Sequence, residues 1–221
     1  MDIDYSTSLQ QLKQITDVWC VCDSAANDGG YVSAADAALR IGARAIAVNA
    51  HAVHMIWAWL ENKGIEIFVV LGDQEIKGFG PEKLSEQIQS AFKKGADGVI
   101  LNSFGLLPEI TDILLPIRND LFFGKKLFVT LELKNVKPLD WGDIFRRLKK
   151  LGVDGIVLDV RGAKDVAGKI FGMLNNWDSD IKGRVMFLAN QPADMEKALR
   201  LVEKVKPELA RNLRFFVSHK V

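Results

Sequence analysis

The chain repeats one unit eight times. Eight short apolar runs alternate with stretches of helical periodicity: VWCVCD (Val18–Asp23), AIAVNA (Ala45–Ala50), IEIFVVLGD (Ile65–Asp73), GVILNS (Gly98–Ser103), KLFVTLEL (Lys126–Leu133), GIVLDVRG (Gly155–Gly162), RVMFLANQ (Arg184–Gln191) and LRFFVSHK (Leu213–Lys220). A strand, a crossing helix and a second strand give parallel pairing, because the helix returns the chain to the edge where it started. Eight such units are the number that closes into an α/β (β/α)8 TIM barrel. At 221 residues the chain suits a single domain of that kind, and no Gly/Ser linker or low-complexity tract divides it.

The helices carry their own punctuation. Ser33 with Asp36 forms a capping-box-like start, and Gly42 stops that helix. Pro81 opens the helix ending at Gly95, Asp140 is expected to cap the one ending near Gly152, and Pro192 begins the one running to about Lys206. Gly42, Gly64, Gly95, Gly124 and Gly152 each stand just past a helix end, where the chain turns back toward the sheet. Pro116 removes a helix hydrogen bond and is expected to split the segment Pro108–Phe123 into two pieces. The sequence stops at Val221 directly after the eighth run, so the barrel is expected to lack its final helix. A short N-terminal helix, about Ser8 to Ile15, is the candidate cover for the outside of strands one and eight.

Charge is balanced, at 29 basic against 28 acidic residues, which gives no field for nucleic acid or an anionic membrane. No long apolar span occurs, and the opening Met1-Asp2-Ile3-Asp4 is unlike a signal peptide. These features lead to the expectation of a cytoplasmic protein with a small-molecule ligand. Cys20 and Cys22 share one face of one strand and are read as free thiols. The helix Ala52–Asn62, AVHMIWAWLEN, is apolar almost all round. Either it makes a homo-oligomer contact through Met55, Trp57 or Trp59, or a neighbouring segment covers it.

Strand parity selects the residues that face the barrel interior. Leu127, Val129, Leu131 and Leu133 form an aliphatic face for the helices and leave Phe128, Thr130 and Glu132 pointing inward. Ile156, Leu158 and Val160 likewise leave Val157, Asp159 and Arg161 inside. The same rule puts Asp23, Asn49, His51, Asn102, Asn190, Ser218 and Lys220 around the upper rim, at the carboxyl ends of the strands where barrels of this type carry their active sites. Glu132, Asp159, Arg161 and Asp23 are the catalytic candidates, because charge inside a barrel must be paired, hydrated or bound to a cation. Asn49, His51, Asn102, Asn190 and Ser218 are the candidates for substrate binding.

Two arrangements of the charges are open. In one, Glu132 and Asp159 hold a divalent cation, Mg or Mn, with Asp23 and water completing the oxygen ligands, and the metal polarises a carbonyl. In the other, Arg161 pairs with one or both carboxylates. His51 and His54 make an H-x-x-H spacing that lacks further zinc ligands, which leaves His51 as an acid–base group and His54 as a helix-surface residue. The loops Ser24–Tyr31 and Gln74–Gly80 carry glycines and are read as ligand covers or plain connectors. After strand seven the sequence offers Asn190, Gln191 and Pro192 and no glycine cradle, so a phosphorylated substrate is not favoured.

The stretches IGARAIAVN, HAVHMIWAWLENKGIEIFVVLGD and EKLSEQIQSAFKKGADGVIL, within Ala35–Leu101, together with GVDGIVLDVRG (Gly152–Gly162), resemble the deoxyribose-phosphate aldolase family of class I aldolases. The resemblance implies a barrel and carbon–carbon bond chemistry at a carbonyl. The family's strand-four aspartate aligns with Ile100, its Schiff-base lysine with Val157 and its helper lysine near Phe187. On this alignment imine chemistry is excluded. Lys134 and Lys220 have inward parity but stand at or beyond the rim. Glu132 and Asp159 loosely resemble the carboxylate pair of metal-dependent pyruvate aldolases. The expected function is therefore a small-molecule lyase or isomerase acting at a carbonyl centre. The alternative is an inactive aldolase-like barrel serving as a subunit or binding module.

Overall fold

The structure, a computed structural model, describes residues 12, 14–21, 28–72, 76, 80–102, 107–137, 140–177 and 184–219. Eight parallel strands close into one barrel in chain order: β1 (Thr16–Cys20), β2 (Ala45–Asn49), β3 (Glu66–Gly72), β4 (Gly98–Asn102), β5 (Lys126–Glu132), β6 (Gly155–Asp159), β7 (Arg184–Ala189) and β8 (Arg214–Ser218). β8 pairs with β1 through Thr16 opposite Phe215 and Val18 opposite Val217, so no edge is left open. Helices Asp28–Ile41, Val53–Leu60, Pro81–Lys93, Leu107–Leu114, Trp141–Leu151, Val166–Asn175 and Pro192–Val205 occupy the connections.

Parity divides the apolar residues into two cores. Val18, Cys20, Ile46, Val48, Val69, Val99, Leu101, Leu127, Val129, Leu131, Ile156, Leu158 and Phe187 face the helices in one large cluster. Trp19, Ala47, Phe68, Val70, Ile100, Phe128, Val157, Met186, Leu188 and Phe216 fill the barrel in a second. The interior stacks in layers drawn from alternate strands. Following the register, Phe68, Phe128 and Met186 lie beside Asp17; Ala47, Ile100, Val157 and Phe216 come next; Trp19, Val70, Thr130 and Leu188 follow. Above them Asn49, Asn102, Asp159 and Ser218 form a wholly polar layer at the mouth.

A short motif repeats at the base of the barrel. Gly95-Ala96-Asp97-Gly98 and Gly152-Val153-Asp154-Gly155 each end a helix and begin a strand. The first glycine of each is left-handed, with φ of 105° and 66°. The aspartate then reaches the neighbouring strand: Ile67 N donates to Asp97 at 2.9 Å and Leu127 N to Asp154 at 2.8 Å. The second glycine leaves room for an aromatic, since a Cβ would sit 2.6 Å from the Phe68 ring at Gly98 and 2.4 Å from the Phe128 ring at Gly155. Asp17 plays the same capping part for Ala45 N, at 3.0 Å.

Several sequence expectations need correction at the element ends. The helix Asp28–Ile41 starts five residues before Ser33, so Ser33 and Asp36 do not cap it. Ser33 Oγ instead lies 3.3 Å from His219 Nε2, and Asp36 accepts a hydrogen bond from Trp59 Nε1 at 3.0 Å. Asp140 makes no side-chain cap; its Oδ2 accepts from Lys137 N at 3.1 Å and closes the preceding turn. The apolar second helix is shorter than expected, Val53–Leu60, after a 3-10 turn over Ala50–Ala52. The Pro116 expectation holds: the helix Leu107–Leu114 gives way to the 3-10 turn Leu115–Ile117 and then a short helix Arg118–Leu121. Of the expected N-terminal helix only Leu12, Gln14 and Ile15 are described; Leu12 and Gln14 are helical, Ile15 lies in a turn, and Leu12 is buried. Cys20 is buried, and Cys22 lies outside the described residues.

Candidate functional site

The mouth is built on the last residues of the strands. Glu132 and Asp159 are register partners at the ends of β5 and β6, and both belong to the barrel interior as parity required. Asp159 is buried, with 7% of its surface exposed. Its carboxylate is occupied by one residue two positions on: Oδ1 accepts from Arg161 N at 3.0 Å and Arg161 Nε at 2.8 Å, and Oδ2 accepts from Arg161 NH2 at 2.7 Å. Arg161 lies in the turn beyond β6, so its inward position comes from folding back over Asp159 and not from strand alternation. Arg161 thus pairs with Asp159.

Arg161 is fixed on its far side as well. Its NH1 lies 3.5 Å from Ser218 Oγ, and Ser218 Oγ donates to Asn190 Oδ1 at 3.2 Å. A chain of polar contacts therefore crosses the mouth from β6 to β8 and the end of β7. Glu132 has different company. Its Oε2 accepts from Asn135 Nδ2 at 2.7 Å and lies 3.3 Å from Lys134 Nζ, in a half-exposed setting. Glu132 thus keeps one carboxylate oxygen, Oε1, clear of these contacts. Two carboxylates that look alike in sequence differ in setting: Asp159 is taken up by Arg161, and Glu132 is the more exposed of the two.

The opposite wall is built from Asn49 and His51. Tyr31 hydroxyl donates to Asn49 Oδ1 at 3.0 Å and lies 3.1 Å from His51 Nε2, with the two rings edge to face. Tyr31 was missed at the sequence level, where it ended a loop; it belongs to the helix Asp28–Ile41 and is almost fully buried. Its signal was available in the spacing Tyr31, Ala34, Ala35 and Ala38, one small-residue stripe that presents a single aromatic to the barrel. His54 turns away and stacks on Trp57, so the two histidines are engaged with different partners. Asn102 completes the polar layer from β4. Below it, Thr130 Oγ1 is buried with no hydrogen-bond partner among the described residues.

Asp23, Lys220, residues 24–27 of the first loop and residues 74, 75 and 77–79 of the second lie outside the described residues, and residues 28–31 of the first belong to the helix Asp28–Ile41. Among the described residues no group of three or more His, Cys, Asp or Glu side chains converges as a metal site. The positions aligned with the aldolase aspartate and its two lysines are occupied by apolar side chains. Ile100 and Val157 are buried in the barrel interior. Phe187 faces the helices, stacked on Phe215 with ring centroids 5.4 Å apart, and the inward positions beside it are Met186 and Leu188.

Solved deoxyribose-phosphate aldolases share this fold. The enzyme from Aeropyrum pernix, described as a tetramer, superposes with a TM-score of 0.73 at 14% identity, over 94% of this chain and 87% of that one. Oxaloacetate acetylhydrolase, solved with its product oxalate, gives 0.60 at 10% identity over 95% and 79%. The 2,3-dimethylmalate lyase of the PEP mutase/isocitrate lyase superfamily gives 0.57 at 10% over 97% and 81%. The sequence matches no protein-family model, and no curated protein sequence is significantly similar. The resemblance to the aldolases is thus one of fold at low identity. No helix among the described residues is long and apolar enough to cross a membrane.

Proposed function

We propose that the mouth binds a small carbonyl compound and catalyses proton transfer beside that carbonyl, as a lyase or isomerase. The observation that carries this reading is Arg161, held over the polar layer by three hydrogen bonds to Asp159. A guanidinium fixed in that way is a preorganised partner for an oxygen that gains negative charge. Glu132, at the next strand end, removes the proton; the electron pair moves into the carbonyl, and its oxygen becomes an enolate facing Arg161 and Asn102. Reprotonation at the neighbouring carbon gives an isomerase. In a lyase Glu132 instead takes the proton of a hydroxyl on the β carbon; that carbon leaves as an aldehyde or ketone, the carbon–carbon bonding pair moves into the carbonyl to give the same enolate, and reprotonation at carbon releases the second product. Asn49, His51, Asn190 and Ser218 orient the substrate. The lyases and aldolases that share the fold are in keeping with this class of chemistry.

The metal-assisted version puts Mg or Mn on Glu132 and Asp159. Asp159 already receives three bonds from Arg161, and a divalent ion there must share the carboxylate with a cation, so the arginine-assisted route fits the residues better. The second reading, a subunit or binding module, is favoured by Trp57 and Trp59 on the outer surface, 36% and 47% exposed. Native mass spectrometry of the purified protein, with and without added Mg or Mn, separates these readings by retained ligand, retained metal and subunit count. Replacing both Glu132 and Asp159 by alanine is expected to abolish retention while circular dichroism shows an intact barrel. Unchanged retention in the double variant sinks the site, and a ligand-free stable oligomer favours the module.

A further inference from the structure

A strongly charged concavity lies at the other end of the barrel. A cavity of about 480 Å3 opens among the amino ends of β1, β2, β3, β7 and β8, with Arg44, Arg184, Arg211 and Arg214 facing Asp17 and Glu66 in its wall. Both carboxylates are already committed. Asp17 Oδ1 accepts from Arg44 N at 2.8 Å, Ala45 N at 3.0 Å and Arg214 NH2 at 2.5 Å, and Oδ2 accepts from Arg214 Nε at 2.8 Å. Glu66 is shared by two cations, Lys126 on Oε1 and Arg184 NH1 on Oε2, the latter at 2.8 Å. Lys126 and Arg184 thus hold one negative charge between two positive ones. The guanidiniums of Arg44 and Arg211 have no carboxylate within ion-pair distance among the described residues.

We propose that this basal cavity is a binding site for a small multivalent oxyanion, one bearing phosphoryl or several carboxylate groups. Its volume is that of a metabolite pocket, yet its lining is polar and carries more positive than negative side chains. Guanidiniums present paired donors that match two oxygens of a carboxylate or phosphate. Arg44 stands where the two base motifs carry Asp97 and Asp154: Gly42-Ala43-Arg44-Ala45 repeats their frame with the charge reversed. Its backbone N–H goes to Asp17, and its side chain is left for the cavity. Arg211 follows the short helix Pro207–Ala210 and enters from the turn before β8. A bound anion bridges the starts of β2, β7 and β8, far from the proposed carbonyl chemistry at the mouth.

Isothermal titration calorimetry with inorganic phosphate and, separately, citrate, at ionic strength fixed with chloride, tests the site on the full chain. Saturable binding of one anion per chain is expected, and the tighter of the two tells phosphoryl from carboxylate ligands. The double variant Arg44→Gln, Arg211→Gln is expected to weaken binding by at least about tenfold. Its thermal midpoint without anion is expected to match the parent, since neither side chain has a carboxylate partner to lose. Arg161→Gln, at the mouth, is expected to bind as the parent does. No saturable binding of either anion, unchanged affinity in the double variant, or a loss in Arg161→Gln alone overturns the proposal.

Discussion

Glu66 shows how much a single side chain depends on its neighbours. Burial at the foot of β3 pushes its carboxyl upward, but the hydrogen bond from Lys126 and the charges of Arg184 and Lys126 outweigh that effect and hold it below the ordinary glutamate range. A lowered folded-state pKa means that the folded protein binds fewer protons than the unfolded chain, so stability rises with pH through this interval. The contribution is complete above the unfolded value, about 4.3, and is lost as pH falls through the lower folded value. Urea midpoints measured from about pH 6 down to about pH 3 are expected to drop on the acid side. Glu66→Gln is expected to flatten that limb, and an unaltered limb would assign the acid sensitivity to other carboxylates. Asp159, Arg161 and Glu132 make a complementary point. The sequence identified all three as interior or rim groups, but only three-dimensional contact distinguishes the carboxylate that anchors an arginine from the one that stays accessible.

At the level of elements, the glycine that ends the helix before β6 was legible as punctuation, whereas the one that begins β6 was not legible as packing. Gly152 is a helix terminator at φ 66° with open space where a Cβ would go. Gly155, three residues on, has unremarkable dihedrals, yet a Cβ there would sit 2.4 Å from Arg184 O and 2.4 Å from Phe128 Cε1. Gly152→Ala is therefore expected to cost about 1 kcal/mol, the penalty of a left-handed alanine. Gly155→Ala must push strand backbone as well as an aromatic ring and is expected to cost about 3 kcal/mol. Chemical denaturation of the two variants side by side checks the order; equal losses would show that the β6 backbone yields. The misplaced caps have the same origin. Ser33 and Asp140 satisfy the local pattern for capping, but the helix Asp28–Ile41 begins earlier to bring Tyr31 over the barrel, and Asp140 is drawn into its own turn.

For the whole molecule, the ion pair of Asp17 and Arg214 joins the first strand to the last, 197 residues apart. It also collects backbone donors from the start of β2 and sits at 1% and 8% side-chain exposure. Arg214→Met leaves Asp17 buried and unpaired, with an expected loss of about 3–5 kcal/mol. Adding Asp17→Asn to that variant is expected to restore part of the loss, because asparagine keeps an acceptor for the β2 amides and carries no charge. Denaturation that finds the double variant no better than Arg214→Met would assign the cost to packing of the arginine stem.

Periodicity by itself determined the eight βα units, the closed barrel and the split at Pro116. Alternation by twos then sorted interior from exterior along each strand, since the pleat fixes the face of every side chain. Those are local rules, and one sequence suffices to apply them. The tertiary structure decided which polar groups meet: Tyr31 with Asn49 and His51, Arg161 with Asp159 and Ser218, and at the base Arg214 with Asp17, and Lys126 and Arg184 with Glu66. Such contacts join residues distant in the chain or depend on how a turn folds back. Their partners are set by how distant side chains pack once the barrel has closed, which no local pattern encodes.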